Sequence, residues 1–422
     1  MLHIACLCPA VAGHLNPALA LGRELARRGH RITFIGLLDA APTVTAGGLE
    51  FCAIGQTEFP AGCLAEQVAI LGKLRGRQAL QFTLSQLGRS SEVIHRELPQ
   101  IARRSGVDGL IVDQVQPAAG TVADHLELPF VTLCSALATH REAAVPPFAT
   151  SWPYRDRVWA KLRNRVGWAA IDTLLRPITN RCNEQRKQWG LRPYRSADES
   201  DSTLAQVSQQ PEGFDLPRQQ LPPHFHYVGP LSDAAARRVV DFPYERLNGR
   251  PLVYASLGTL QNQLHEVFRL IVQACDGLPI QLVLSLGCAE SQFSRELPAE
   301  GLVVDYAPQL QLLARAELCI THAGLNTTLE SLSSGVPMVA IPIANDQPGV
   351  AARIVHAGVG EMVSLKRLGL ARLRRAIQSV LKQRSYRDNA RRFQHAIAQS
   401  PGPPRAADIV EQALSTGIAV PR

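Results

Sequence analysis

The first 22 residues of this 422-residue chain contain no Lys, Arg, Asp or Glu. A secretory signal needs a basic segment ahead of its apolar stretch, and here that segment is missing while His14, Asn16 and two prolines interrupt the run. No export signal is expected, and a cytoplasmic location follows as the expectation. Nine cysteines include no CxxC pair and no regular spacing. That argues against a zinc site or a disulfide framework and for a reducing compartment, with Cys6 and Cys8 as buried hydrophobes on a strand. No apolar run approaches the roughly 20 residues that span a bilayer, so any membrane contact would be peripheral. Also missing are a Walker lysine and a full GxGxxG after the first strand, so an NTPase or a conventional dehydrogenase fits poorly.

What is present suits a large soluble α/β protein. The length favours two domains, and 46% hydrophobic residues is ordinary for globular chains. MLHIACLCP reads as a buried strand, with Asn16-Pro17 as N-cap and first-turn proline of a helix that Gly29 ends before a second strand, RITFIG. This βαβ pattern returns in GLIVD and LPFVTL. A second series runs through PLVYAS, IQLVLSL, LVVDY, ELCIT and PMVAIPI. Between the series, Gly229 to Arg250 is rich in proline and charge and has no apolar period. The expectation is therefore two Rossmann-like, doubly wound parallel-sheet domains facing one cleft. Their bounds are 1–232 and 251–395, joined by a linker at 233–250, with 396–422 packing back on the first domain.

In such sheets ligands bind beyond the carboxyl ends of the strands, where His14, Asp113, Ser256 and His322 all fall. ELCIT delivers His322-Ala323-Gly324 into a helix carrying Leu325, Leu329 and Leu332. A helix N-terminus entered through glycine offers free N–H groups and a positive dipole end to a phosphate. Thr327 and Glu330 could instead form an ordinary capping box. Asp346-Gln347 follows PMVAIPI, and a carboxylate beside a carboxamide suits the hydroxyls of a sugar. Ser256, Gly258 and Thr259 add a small-residue loop fit for a phosphate. Phosphates, hydroxyls and a helix N-terminus together suggest a nucleotide sugar. A hydroxyl attacking a sugar needs a base, for which His14 is the candidate, its Nδ1–H held by Asp113.

The blocks YAPQ, THAGLNT, Glu330, GVP and DQ, running from Tyr306 through Gln347, resemble the donor-binding signature of the UDP-glycosyltransferase superfamily of GT-B fold. Further blocks, IVDQVQPAAGTVADHLELPF, LPPHFHYVGPL, YASLGTLQ and DQPGVAARIV, are similar to those of its members that act on carotenoids. The resemblance implies inverting transfer of glucose from UDP-glucose to a lipophilic hydroxylated acceptor, a carotenoid such as zeaxanthin foremost, with no cofactor and no nucleic-acid partner. It puts Tyr306 where a tryptophan stacks on uracil in the plant signature, and Gln309 on the ribose or base. His322, Asn326 and Thr327 fall at the diphosphate contacts, Glu330 at the ribose, Asp346 and Gln347 at the sugar, and His14 with Asp113 at a catalytic dyad. The Tyr306 to His322 interval is two residues shorter than in the plant signature, and Ala323 and Leu325 replace its Cys and Trp. The absence of an Asp-x-Asp pair leaves a bridging metal unimplied.

Other functions on the same scaffold would be another small aglycone's transferase, a non-catalytic nucleotide-sugar-binding subunit, or an epimerase. The net charge of +8 is concentrated between Pro153 and Arg195, where 11 Lys or Arg stand against 3 Asp or Glu and where, or beside which, all four tryptophans lie. A solvated basic helix pair, a nucleic-acid surface and a membrane surface are the three readings of that stretch. The spacing from Asp156 to Arg176 puts Trp159, Leu162, Val166 and Ala170 near one helical face and Arg157, Lys161, Arg165 and Trp168 near another. The first of these faces is expected either to pack on its own domain or to meet a bilayer.

Overall fold

The computed structural model describes residues 1–74, 76–233, 240–258, 264–287, 301–400 and 402–422. Two parallel sheets organise them. The first contains β1 (His3–Leu7), β2 (Arg31–Gly36), β3 (Glu50–Ala53), β4 (Gly109–Asp113), β5 (Phe130–Cys134), β6 (Gln206–Ser208) and β7 (Phe225–Tyr227), in the order β3-β2-β1-β4-β5-β6-β7. The second contains β8 (Leu252–Ser256), β9 (Gln281–Ser285), β10 (Leu302–Val304), β11 (Ala316–Thr321), β12 (Met338–Ala340) and β13 (Gly360–Met362), in the order β10-β9-β8-β11-β12-β13. Central strands β1, β4, β5, β8 and β9 are buried along their whole length, as continuous apolar runs in a two-sided parallel sheet should be. The fold is GT-B. In both sheets the strand order reverses beside the first strand, between β1 and β4 and between β8 and β11. Crevices that accept ligands open at such switch points.

Local chemistry explains the departures from the sequence reading. The first helix spans Ala12–Arg27 with Val11 as N-cap, so it begins before Asn16-Pro17 and carries Pro17 inside its first turns. Proline has no N–H to give the Gly13 carbonyl four residues earlier, and that carbonyl accepts the Asn326 side-chain amide instead. The long helix Val158–Gln188 buries Ala160, Asn164, Trp168, Ile178, Cys182 and Arg186. Trp168 is therefore on the inward face, its Nε1–H donating to the Glu142 and Val145 carbonyls, while Trp159, Leu162 and Val166 face outward. After β13 the helix Arg384–Ala398 leans on the second domain, with Phe393 against Phe214 of the first. The last helix, Pro403–Thr416, then returns to the first domain, where Ala406, Ile409, Val410 and Ala413 join a core with Ile4, Leu25 and Val131.

Candidate active site

His14 does not sit in a loop. It is the third residue of the first helix, its backbone N–H bonded to the Val11 carbonyl at 3.0 Å, and that turn carries the imidazole over the end of β4. There Nδ1 lies 2.9 Å from Oδ2 of Asp113. The Asp113 side chain is fully buried, and its second oxygen accepts the Val115 N–H at 3.1 Å. Burial pulls the imidazole pKa down, but the Asp113 charge and hydrogen bond, with Asp346 adding to them, outweigh it and raise the pKa above the ordinary value. The Asp113 contact assigns the proton on neutral His14 to Nδ1 and leaves Nε2 as an acceptor.

At the facing switch point, His322 follows β11 and is enclosed by two glycines. A Cβ on Gly324 would lie 2.5 Å from its Nε2, and one on Gly258 2.8 Å from the same atom. Burial lowers the His322 pKa to about 4, so the ring is neutral, and its buried Nδ1 has no partner among the described residues. Ala323 between them holds φ at 64°, a conformation L-residues rarely adopt, and it bends the chain into the helix Leu325–Ser333. Gly324 is the N-cap and no side chain caps the helix, so the Thr327–Glu330 box does not form. Glu330 instead accepts the Gln309 carboxamide at 2.5 Å, while Gln309 Nε2 also reaches Thr327 Oγ1 at 3.4 Å and its Oε1 accepts the Tyr254 hydroxyl at 3.0 Å. Gln309, Thr327 and Glu330 thus form one cluster, with Tyr306 half-exposed on the same chain segment. Ser256 ends β8 and its Oγ accepts the Gly258 N–H at 3.4 Å. Thr259 lies outside the described residues.

Asp346 is the N-cap of the helix Gln347–His356, and Asn345 before it has φ 55°. Burial raises the Asp346 pKa, opposed by the Leu137 N–H and by His14. Gln347 Oε1 accepts the Ile343 and Ala344 N–H groups, which stiffens the approach and leaves its NH₂ as donor. Asn326 reaches across the cleft. Its Nδ2 donates to the Gly13 carbonyl at 3.1 Å and its Oδ1 accepts from Gln209 at 2.9 Å, because the second residue of its helix points at the opposite domain. Gln209, just past the three-residue strand β6, and the Leu137 N–H, 3.4 Å from Asp346 Oδ2, complete the cross-cleft contacts. Sequence reasoning missed both, since a three-residue strand has no readable period and a backbone donor has no residue signature.

The family model described as UDP-glucoronosyl and UDP-glucosyl transferase matches residues 77–404. The chain belongs to that family. It is similar to a zeaxanthin glucosyltransferase from Pantoea ananas, 34% identical with 99% of this chain and 97% of that protein covered. A zeaxanthin glucosyltransferase from Pseudescherichia vulneris is 32% identical, with 98% of each chain covered. Among solved structures, the glycotransferase of kitacinnamycin superposes with a TM-score of 0.76 over 98% of this chain and 99% of that one, at 23% identity. This UDP-glycosyltransferase family member is therefore a transferase enzyme, a glycosyltransferase of GT-B fold. In open parallel sheets ligands bind at switch points, and both clusters described above lie at one.

Proposed function

We propose that the protein moves glucose from UDP-glucose to a hydroxyl of a lipophilic acceptor, a carotenoid such as zeaxanthin foremost, with inversion at the anomeric carbon. The observation that supports this best is the His14–Asp113 contact at the end of β4, electrostatically coupled to Asp346 of the other domain. In this reading the acceptor hydroxyl gives its proton to His14 Nε2 as its oxygen bonds to the anomeric carbon. Asp113 stabilises the imidazolium that forms. The bond from that carbon to UDP breaks on the opposite face, so one displacement inverts the centre. Charge developing on the diphosphate meets the N–H groups at the start of the Leu325–Ser333 helix and a proton-bearing ring nitrogen of His322. Gln309 and Glu330 take the ribose end, and Asp346 with the Gln347 amide takes the hexose hydroxyls.

Two relatives named for zeaxanthin, at 34% and 32% identity over nearly the whole chain, favour the carotenoid over other aglycones. The test follows UDP release from UDP-glucose with zeaxanthin and with phenolic, polyketide and sterol alcohols, in buffer with and without EDTA. Release that depends on zeaxanthin, resists EDTA and yields a β-glucoside is expected. A changed sugar nucleotide without acceptor would point to an epimerase. Retained configuration would refute the single displacement.

A further inference from the structure

We propose that the outward face of the Val158–Gln188 helix is a docking surface for an anionic lipid bilayer. The helix has a defined inner side, fixed by Asn164 Nδ2 donating to the Ala143 carbonyl at 2.9 Å and by the buried Trp168. On the other side Val158, Trp159, Leu162 and Val166 stand 87%, 58%, 60% and 64% exposed, within about one quadrant of the helix. Soluble surfaces seldom gather four large apolar side chains in two turns. Cations frame the stripe. Arg155, Arg157, Arg165 and Arg176 are exposed and make no ion pair among the described residues, whereas Lys161 is paired with Asp156 at 2.8 Å. The Arg163 guanidinium lies over the rings of Trp152 at 4.8 Å and Trp159 at 5.4 Å, so the indole is held in place.

Charge selects the occupant. A second copy of this face would set arginine against arginine, whereas anionic headgroups neutralise the cations while the stripe enters the acyl boundary and Trp159 takes the interfacial position. The face also lies close to the chemistry. Tyr154, four residues before the helix, packs edge-on against His356 at 5.4 Å, at the far end of the helix whose start Asp346 caps. Phe148 packs against that same helix, its carbonyl oxygen only 2.1 Å from where a Cβ on Gly349 would be. A bilayer docked here would therefore sit beside the seam between the domains, and its contact is peripheral because no helix among the described residues is long and apolar enough to cross it.

The test is co-sedimentation with vesicles of phosphatidylcholine alone and of phosphatidylcholine with phosphatidylglycerol, at low and high salt. It compares the unmodified protein, a Trp159→Ser, Leu162→Ser, Val166→Ser variant and an Arg157→Gln, Arg165→Gln, Arg176→Gln variant. The unmodified protein should partition onto anionic vesicles and be released by salt, and each variant should bind them roughly 10-fold or more weakly. Tryptophan emission should shift to the blue on anionic vesicles, and less so in the variant lacking Trp159. UDP binding and the melting temperature of both variants should match the unmodified protein, since every changed side chain is exposed. No partition of the unmodified protein, or equal partition of all three, overturns the proposal. So does self-association or binding of an acidic protein that the serine variant abolishes while vesicles bind nothing. Because sedimentation reads no turnover, this outcome is independent of the acceptor.

Discussion

At residue scale the site depends on how two histidines are biased in opposite directions. His14 has a carboxylate on Nδ1 and another acting on it from the facing domain, which raises its pKa, whereas burial dominates at His322 and makes it a weak base at about 4. The base form of His14 is lost as pH falls through that raised pKa. Turnover should therefore decline on the acid side at a higher pH than an ordinary histidine near 6.5 would give. Asp346→Asn removes one of the raising charges, so the acid limb of the kcat/KM profile should move to lower pH whatever happens to its height. An unmoved limb would separate His14 from Asp346. His14→Ala should lower kcat by on the order of 100-fold or more with UDP binding nearly unchanged, read by steady-state kinetics beside calorimetry. At the other histidine, Gly324 has an ordinary φ of −64°, so Gly324→Ala adds no backbone strain and acts only through the 2.5 Å approach of its Cβ to the ring. The displaced imidazole should weaken UDP binding by about tenfold, about 1.4 kcal/mol, with a small change in melting temperature.

At the scale of elements, the helix Gln347–His356 couples the sugar end of the site to the opposite domain. Two turns beyond Asp346, Arg353 donates through Nε and Nη2 to Oδ1 of Asp215, at 2.8 and 2.6 Å, and Arg218 and the Tyr227 hydroxyl occupy Oδ2. All this is buried. Burial alone would raise the Asp215 pKa, but the two guanidiniums hold it far below the carboxylate range. The partners are unequal. Asp215 without Arg353 keeps Arg218 and Tyr227, whereas Arg353 without a carboxylate keeps only the Gly349 carbonyl at 3.1 Å. Asp215→Asn should then cost about 3 kcal/mol or more in urea unfolding, and Arg353→Met clearly less. The reverse order would mean that the methionine packs poorly rather than that a charge is stranded. The sugar's KM should rise in both variants, as the helix that presents Asp346 loses its anchor.

At the scale of the whole molecule, both sheets reverse strand order at their first strand and turn their carboxyl ends to one cleft, which the Asn326, Gln209 and Gly13 contacts span. The chain then crosses the cleft a second time. Its final helix ties the first domain together through apolar burial and through Arg28, which pairs with Asp408 at 2.7 Å and Glu411 at 2.8 Å. Ile409 is buried to 1% exposure against that core, so Ile409→Ala should cost about 2–5 kcal/mol, seen as a lower urea midpoint for the first domain. An unchanged midpoint would make the last helix an accessory rather than part of the fold.

Periodic apolar runs bounded by glycine and proline identified nine of the strands directly, because β-rich segments buried on both faces need no partner to be recognised. Strands β3, β6, β7 and β13 were not legible, being three or four residues long with sequence no different from loop. Most of the candidate site was legible for a related reason: a parallel sheet brings strand ends to one edge, so His14, Asp113, Ser256 and His322 could be grouped from chain position alone. What local sequence could not decide was partnership. Glu330 stands three residues after Thr327 and satisfies the spacing of a capping box, yet Gln309, brought near by the packing of another helix, takes its carboxylate. The stripe of Trp159, Leu162 and Val166 has the spacing of a core face, but Asn164 and Trp168 found the better buried partners and turned it outward. Sequence thus determined which groups are available and at which ends of which strands. Tertiary structure decided which of them meet, since a hydrogen bond or a buried contact between residues 99 or 138 positions apart, as in His14–Asp113 and Asp215–Arg353, depends on chain closure that no local pattern encodes.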